Sequence, residues 1–242
     1  MLLIYHAVDI ILLHYSVRIR LPIFFYPSFF FTENGSLLTW GEGDYNQLGR
    51  SRDETTWVYP DQMMGLDEKV VTQISCGAYH TLALTDLGEM YSCGYNQHGQ
   101  LGLGDFAIHR LPEKIRSLDG RRVEIIASGW HHSMAVLDDG ILYSWGYNEH
   151  GECGHGHRER NATPEIVGSL VGRRIVMIAG GQYHSLALDA SGDLYSWGWN
   201  AYGELGLGSE DDRVRLAPER VDQFPECLAL ACGGRFSMVL QR

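Results

Sequence analysis

The amino-acid sequence repeats itself with a period of about 52 residues, and this repeat restricts the possible folds more than any other feature. Three motifs keep the period, and each occurs four times. One motif ends in Trp-Gly or Cys-Gly, and its glycines are Gly41, Gly94, Gly146 and Gly198. The second is a Gly or Asn with a Gly three residues later, at 46–49, 99–102, 151–154 and 203–206. The third is a Gly-x-x-His frame beginning at Gly77, Gly129, Gly181 and Gly233, with Phe236 in place of the fourth histidine. Self-similarity at this spacing is typical of propellers and other repeat folds.

Short apolar segments between the turns predict β-strands. Val70–Cys76 and His80–Leu84 are apolar or alternating runs bounded by glycines, and no segment shows a sustained helical period. Asn46 stands where the later units have glycine, and Asn tolerates a left-handed backbone better than most residues. We therefore expect a turn with positive φ at Asn46. A unit of about 50 residues with four short strands predicts an all-β fold in which one unit is one propeller blade.

Two stretches identify the kind of propeller. Residues 142–151 read Leu-Tyr-Ser-Trp-Gly-Tyr-Asn-Glu-His-Gly, and residues 178–188 read Ile-Ala-Gly-Gly-Gln-Tyr-His-Ser-Leu-Ala-Leu. Together they resemble the repeat of the regulator of chromosome condensation (RCC1-like) family, and the resemblance extends over all four units. The Trp-Asp pair of WD40 blades is absent from the sequence. The resemblance implies a seven-bladed β-propeller, of which four units would form a partial or open ring.

The sequence therefore divides into two parts. Residues 1–34 form an apolar N-terminal segment, and residues 35–242 form four RCC1-like repeats. The repeats are expected at about 35–87, 88–139, 140–191 and 192–242. A partial ring would leave strand edges unpaired, so a homodimer of two partial rings is one expected arrangement.

The N-terminal segment has more than one interpretation. Arg18 and Arg20 lie in its middle, and Pro22 and Pro27 interrupt the remainder, which argues against a membrane span. It also lacks the basic start and small-residue cleavage site of a signal peptide. The segment is either a native apolar extension or the translation of a retained intron. The second interpretation rests on the run 21–31, in which every residue is of a type with pyrimidine-rich codons, as expected of a translated tract before a splice acceptor.

Charge and cysteine content limit the possible partners and the compartment. The net charge is −11, which argues against direct binding of nucleic acid, because phosphates require clustered Lys and Arg. The five cysteines are odd in number and scattered, which favours reduced thiols in the cytoplasm, the nucleus or both.

Histidines are the most prominent candidates for chemistry. His80, His132 and His184 recur once per unit, so we interpret them as architectural, with rings that tie neighbouring backbone groups. Cys153, His155 and His157 lie close enough in sequence to suggest a metal site. Alignment of the units places Cys153 and His155 at positions where other units have leucine, so no metal site is predicted. No catalytic constellation and no cofactor motif stand out, so an enzyme is not expected.

The residues inside the Gly-x-x-His frame are the predicted partner-binding residues. They vary between units while the frame stays fixed, which is typical of a rigid scaffold that presents a variable rim. The predicted set is Tyr79, Trp130, His131, Gln182, Tyr183 and Arg235. An alternative is that Tyr79 and Tyr183 only pack between blades. The charged loops 50–54, 155–160 and 209–213 are expected to be solvated.

The family resemblance also implies functions for the variable positions inside the Gly-x-x-His frame, which we call slots. In the family, members that act as nucleotide-exchange factors use acidic side chains at these positions, and photoreceptor members use tryptophans. This chain has no acidic residue in the slots and has one tryptophan, Trp130. We therefore predict a protein-interaction scaffold or adaptor, with a guanine-nucleotide exchange factor for a small GTPase as the alternative.

Overall fold

The computed structural model describes residues 36–50, 56–208, 214–224 and 227–241, and three short strands nearer the N-terminus. The strands are β1 (Ile10–Ile11), β2 (Arg18–Arg20), β3 (Ser28–Phe31), β4 (Leu37–Glu42), β5 (Thr56–Gln62), β6 (Val71–Cys76), β7 (His80–Thr85), β8 (Met90–Gly94), β9 (His109–Lys114), β10 (Val123–Ser128), β11 (His132–Leu137), β12 (Leu142–Gly146), β13 (Asn161–Ile166), β14 (Ile175–Gly180), β15 (His184–Asp189), β16 (Leu194–Gly198), β17 (Arg215–Arg220), β18 (Cys227–Cys232) and β19 (Ser237–Gln241). Single 3-10 turns lie at Arg116–Leu118 and Gly168–Leu170. No helix in this described part of the chain is long and apolar enough to cross a membrane.

The described strands form five consecutive sheets. Strands β6–β9, β10–β13 and β14–β17 are four-stranded antiparallel blades. A three-stranded sheet, β3–β5, precedes them and a two-stranded sheet, β18–β19, follows. Strands β1 and β2 extend the first complete blade, because β2 pairs in parallel with the inner strand β6. The all-β propeller fold is confirmed, and the sheets do not close into a ring.

The sequence units and the sheets have the same length but a different phase. Residues 88–139 contain four strands, as the sequence predicts, but β8 and β9 belong to one blade and β10 and β11 to the next. The registers are identical from blade to blade, since His80 faces Gly94, His132 faces Gly146 and His184 faces Gly198. Each sequence unit therefore supplies the last two strands of one sheet and the first two strands of the next.

Two backbone positions show why the motif glycines recur. Gly146 has a φ of +104°, and a Cβ placed on it would lie 2.6 Å from the carbonyl oxygen of His131. Only glycine allows this strand end to approach the neighbouring loop so closely. Asn46 has a φ of +64°, which confirms the left-handed turn expected from the sequence.

The hydrophobic core lies between adjacent sheets rather than inside any one of them. Leu84 from one blade and Ile126 and Trp145 from the next belong to one buried cluster. Trp145 and its equivalent Trp197 are completely buried. Burial of each large apolar side chain contributes about 1.5–3 kcal/mol, so successive blades stabilise one another.

The recurring histidines join neighbouring blades. Each Nε2 atom lies within hydrogen-bond distance of a serine Oγ in the next blade: His80 and Ser133 at 2.9 Å, His132 and Ser185 at 2.8 Å, His184 and Ser237 at 3.1 Å. The Ser185 hydroxyl donates its own proton to the Glu152 carbonyl at 2.8 Å, so His132 Nε2–H must be the donor. Burial lowers the pKa of His132 to about 3, so its ring is neutral. The architectural interpretation is confirmed, although the rings contact a hydroxyl rather than a backbone group.

Candidate functional site

Two loops of each blade meet on one side of the sheets. The first is the Gly-x-x-His loop, and the second follows the Trp-Gly or Cys-Gly motif at the end of the third strand. The backbone N–H of Tyr147 donates to the carbonyl of His131 at 2.9 Å, and the equivalent bonds from Tyr95 to Tyr79 and from Trp199 to Tyr183 are both 2.8 Å. These bonds fix the two loops of a blade against each other.

Further backbone bonds tie the loops of one blade to those of the next. Ala78 N–H donates to the Trp130 carbonyl, Trp130 N–H to the Gly181 carbonyl, and Gln182 N–H to the Gly234 carbonyl, each at 3.0 Å. The first variable residue of every described Gly-x-x-His frame is therefore part of a chain of bonds from blade to blade. A loop surface held in this way is ordered before any partner arrives, which reduces the entropic cost of binding.

The side chains on these loops form a continuous surface, which we call the aromatic band. It consists of Tyr45, Tyr79, Tyr95, His98, Trp130, His131, Tyr147, His150, Tyr183 and Trp199. Neighbouring ring centroids lie between 4.4 and 6.3 Å apart, from His150–Trp199 to Trp130–His131. Most of the pairs are tilted or edge-to-face, which is the preferred geometry for aromatic rings.

All six predicted partner-binding residues lie on this side of the molecule. Tyr79, Trp130, His131 and Tyr183 belong to the aromatic band. The other two, Gln182 and Arg235, contact each other: Arg235 Nε donates to Gln182 Oε1 at 3.2 Å.

The band continues through Arg235 into a polar extension. Its guanidinium lies 5.0 Å from the ring centroid of Tyr202 and donates to the Tyr202 hydroxyl at 3.0 Å. Arg235 is exposed, whereas Tyr79 and Tyr183 are half-buried. The two tyrosines therefore pack against neighbouring rings and also reach solvent, and a role for any of the six in binding stays a prediction.

Sequence reasoning missed the contribution of the second loop. The position directly after the motif glycine is aromatic in three units, and the fourth position after it is Tyr or His in all four. These residues are Tyr95, Tyr147 and Trp199, and Tyr45, His98, His150 and Tyr202. Their periodic recurrence was the available signal, but only the bonds between the two loops show that they share a surface with the Gly-x-x-His residues.

A buried polar residue supports the second loop from below. Gln47, Gln100, Glu152 and Glu204 occupy this position and are 0 to 4% exposed. Their side-chain oxygens accept the backbone N–H two residues earlier, for example His98 N–H at 3.1 Å and His150 N–H at 2.9 Å. The residue thus positions the Tyr or His at the fourth position of the loop.

The aromatic band is uncharged near neutral pH. Burial, with a smaller contribution from His98, lowers the pKa of His131 to about 3. Burial also lowers the pKa values of His98 and His150. The pKa values of Tyr79 and Tyr95 are raised, again mainly by burial. The band therefore offers neutral rings with hydrogen-bonding edges.

Comparison with known proteins assigns this arrangement to a family. The sequence model of the RCC1-like domain matches residues 26–239. The chain belongs to the RCC1-like family.

Among curated relatives, the chain is 32% identical over 209 residues to the ultraviolet-B receptor UVR8 of Arabidopsis thaliana, an alignment covering 86% of this chain and 47% of the receptor. It is 37% identical over 211 residues to the E3 ubiquitin-protein ligase HERC2 of Homo sapiens, covering 86% of this chain but 4% of the ligase. The chain thus spans less than half of either relative.

Solved structures agree with the assignment. Prp20p from Saccharomyces cerevisiae superposes with a TM-score of 0.77 at 30% identity, covering 87% of this chain and 52% of Prp20p. Human WBSCR16 superposes with a TM-score of 0.78 at 26% identity, covering 93% of this chain and 63% of that protein. These similarities support a role of the RCC1-like type, in protein interaction or in nucleotide exchange.

Proposed function

We propose that this chain is a protein-interaction module that binds its partner through the aromatic band. The observation that carries the proposal is the continuity of the band: ten rings from consecutive blades, fixed by backbone bonds between loops, present one neutral surface. Tyr and Trp are enriched among the residues that dominate binding energy at protein interfaces, and buried anchors of this kind contribute about 2 kcal/mol or more each. Arg235 and Gln182 supply a polar edge with donors and acceptors.

We propose that the partner is a protein and that this chain acts as a scaffold or adaptor in the cytoplasm or nucleus. Reported binding of Prp20p to Gsp1p and to histones, and of yeast RCC1 to Kap60, supports the use of this fold for protein partners. A partner segment rich in apolar and aromatic side chains would match the neutral band, and acidic side chains would match Arg235. Neither a catalytic role nor a cofactor is part of this proposal.

Nucleotide exchange on a small GTPase is the second candidate. It is favoured by the similarity to Prp20p at 30% identity. The residues in the frame argue against it, because none of Tyr79, His131, Tyr183 and Arg235 is acidic. We therefore rank exchange below a simple binding role.

The experiment compares proteins captured by the wild-type chain and by two variants. Tyr79→Ala combined with Tyr183→Ala removes two rings from the band, and Tyr59→Ala removes a tyrosine that is 78% exposed on β5. We expect at least one partner to be depleted more than about 10-fold by the double variant, which corresponds to about 1.4 kcal/mol, and to be retained by Tyr59→Ala. Equal capture by all three chains would contradict the proposal. Faster nucleotide release from a captured GTPase would favour exchange over simple binding.

A further inference from the structure

A cluster of titratable side chains lies at the outer strand of the blade β10–β13. His155 and His157 are in the loop between β12 and β13, and Glu165 is on β13. One potential ligand atom from each of the three lies within 4.8 Å of the others. In the part of the chain that the structure describes, no other three His, Cys, Asp or Glu side chains come together in this way.

The hydrogen bonds around His155 determine which of its ring nitrogens carries the proton. The Ser144 hydroxyl donates to the Cys153 carbonyl at 2.6 Å and lies 2.8 Å from His155 Nε2. Because a hydroxyl has one proton to donate, His155 Nε2–H is the donor in the second contact. In the neutral ring, the lone pair therefore sits on Nδ1.

That lone pair has no hydrogen-bond partner. The His155 side chain is 2% exposed, and Nδ1 is buried without a partner. The Glu165 carboxylate lies nearby, with its Oε2 3.9 Å from Nδ1. A buried acceptor left unpaired costs about 1–3 kcal/mol, and a cation between Nδ1 and the carboxylate would give both a partner.

The repeat gives no structural reason for a histidine here. The equivalent residues in the neighbouring units are Leu103 and Leu207, which pack against apolar clusters. The sequence alignment led us to predict no metal site on this ground. The alignment accounts for the position of His155 but not for the short distance between its Nδ1 and the Glu165 carboxylate.

We propose that His155 Nδ1, a ring nitrogen of His157 and the Glu165 carboxylate bind a divalent transition-metal ion of the zinc type. Two imidazoles and a carboxylate suit Zn²⁺, and a metal-ligating histidine usually donates its other N–H to a fixed acceptor, as His155 does to Ser144. The metal would join the β12–β13 loop to strand β13.

To bind a metal, the three ligand atoms need to move only slightly closer together. Ligands about 2.1 Å from a tetrahedral metal are about 3.4 Å apart, compared with the 4.8 Å limit of the present cluster. The Glu165 side chain is 46% exposed, and its Oε2 now accepts a hydrogen bond from Asn161 Nδ2, which ligation through that oxygen would replace. His157 Nδ1 now accepts the Glu159 N–H at 3.2 Å, and ligation through that atom would replace this bond.

The competing arrangement is a simple ion pair between a protonated His155 and Glu165. The ion pair would require a proton on both ring nitrogens of His155, whereas the metal site requires a free lone pair on Nδ1. Metal binding and ion pairing also differ in their response to added metal, so they are separable in solution.

The test uses the full chain without a polyhistidine tag, titrated with Zn²⁺ by calorimetry and with Co²⁺ by visible absorption. We expect one saturable site per chain. His155→Leu, which introduces the residue of the neighbouring units, should weaken binding more than about 100-fold, because even loss of an outer-shell partner costs 10–100-fold. Glu165→Gln, on a half-exposed side chain, should weaken it at least about 10-fold.

His109→Gln is the matched control. His109 also lies between two carboxylates, but both of its ring nitrogens are occupied, by Asp105 at 3.1 Å and Glu113 at 2.8 Å. This variant should bind metal like the wild type. Absence of saturable binding, or equal affinity of the wild type and a folded His155→Leu variant, would overturn the proposal and leave the ion pair as the explanation.

Discussion

Glu152 places a carboxyl group where two other units have the amide of Gln47 or Gln100. Its Oε2 accepts the His150 N–H at 2.9 Å, as an amide oxygen does in those units, but Oε1 is buried without a partner. Burial raises the pKa of Glu152 to about 8. The carboxyl therefore keeps its proton in the folded chain over a pH range in which the unfolded chain has lost it.

This difference makes folding stability depend on pH. The ordinary pKa is 4.5, so between pH 4.5 and about 8 the folded state binds a proton that the unfolded state does not. The contribution of this group to stability is lost as the pH rises through that window, at about 1.4 kcal/mol per pH unit. We expect Glu152→Gln to raise the free energy of unfolding by a few kcal/mol at pH 9 and to change it little at pH 4.5, measured by urea denaturation.

The reverse variant provides the control. Gln100 is also fully buried and supports the same loop one unit earlier. Gln100→Glu should introduce a second loss of stability with rising pH. Parallel stability curves for the wild type and Glu152→Gln from pH 4.5 to 9 would show that Glu152 is ionised in the folded chain.

At the scale of the strands and loops, the close approach between the two loops of a blade is the critical contact. A Cβ at Gly146 would lie 2.6 Å from the His131 carbonyl oxygen, and the φ of +104° is unfavourable for any other residue. We expect Gly146→Ala to destabilise the fold by about 2 kcal/mol or more and to displace His131 from Tyr147. Chemical denaturation and the capture experiment measure the two effects.

A substitution at Gly172 tests the effect of backbone strain without a steric contact of the added Cβ. Its φ is +90°, but a Cβ there would meet nothing within 4 Å. Gly172→Ala should cost about 1 kcal/mol from the backbone alone and leave partner capture unchanged. If both glycine variants lost partner capture equally, the band would not depend on the contact between its loops.

The strands and turns were accessible from sequence because they are local. The recurring glycines, the apolar runs and Asn46 predict a four-stranded unit, and its structure confirms them. The phase of the blades was not accessible. A period defines the length of a unit, but it does not specify that β9 pairs with β8 and β10 with β11, which places the sheet boundary between β9 and β10.

Only the part of the candidate site that lies in the Gly-x-x-His loops was predictable from the sequence. Variation inside the Gly-x-x-His frame indicates Tyr79, His131 and Tyr183. Tyr147 was not recognised, because its place beside His131 results from a tertiary backbone bond of 2.9 Å. The proton position on His155 likewise follows only from its distance to Ser144.

At the scale of the whole molecule, the RCC1-like repeat produces two different surfaces from one scaffold. The side carrying the loops concentrates neutral rings, whereas the last sheet exposes Met238 and Leu240, which are 48% and 61% exposed. Their equivalents one blade earlier, Leu186 and Leu188, are 1% and 3% exposed. The homodimer of two partial rings stays a prediction.

The aromatic band is the surface proposed to bind the partner. Hydroxyl-radical footprinting of the chain, alone and with the protein it captures, tests this directly, because tyrosine, tryptophan and histidine side chains all react. We expect Tyr79, Tyr147, Tyr183 and Trp199 to lose most of their labelling in the complex, while Tyr59 keeps its own. Unchanged labelling of the band, with protection elsewhere in a stable complex, would contradict the account.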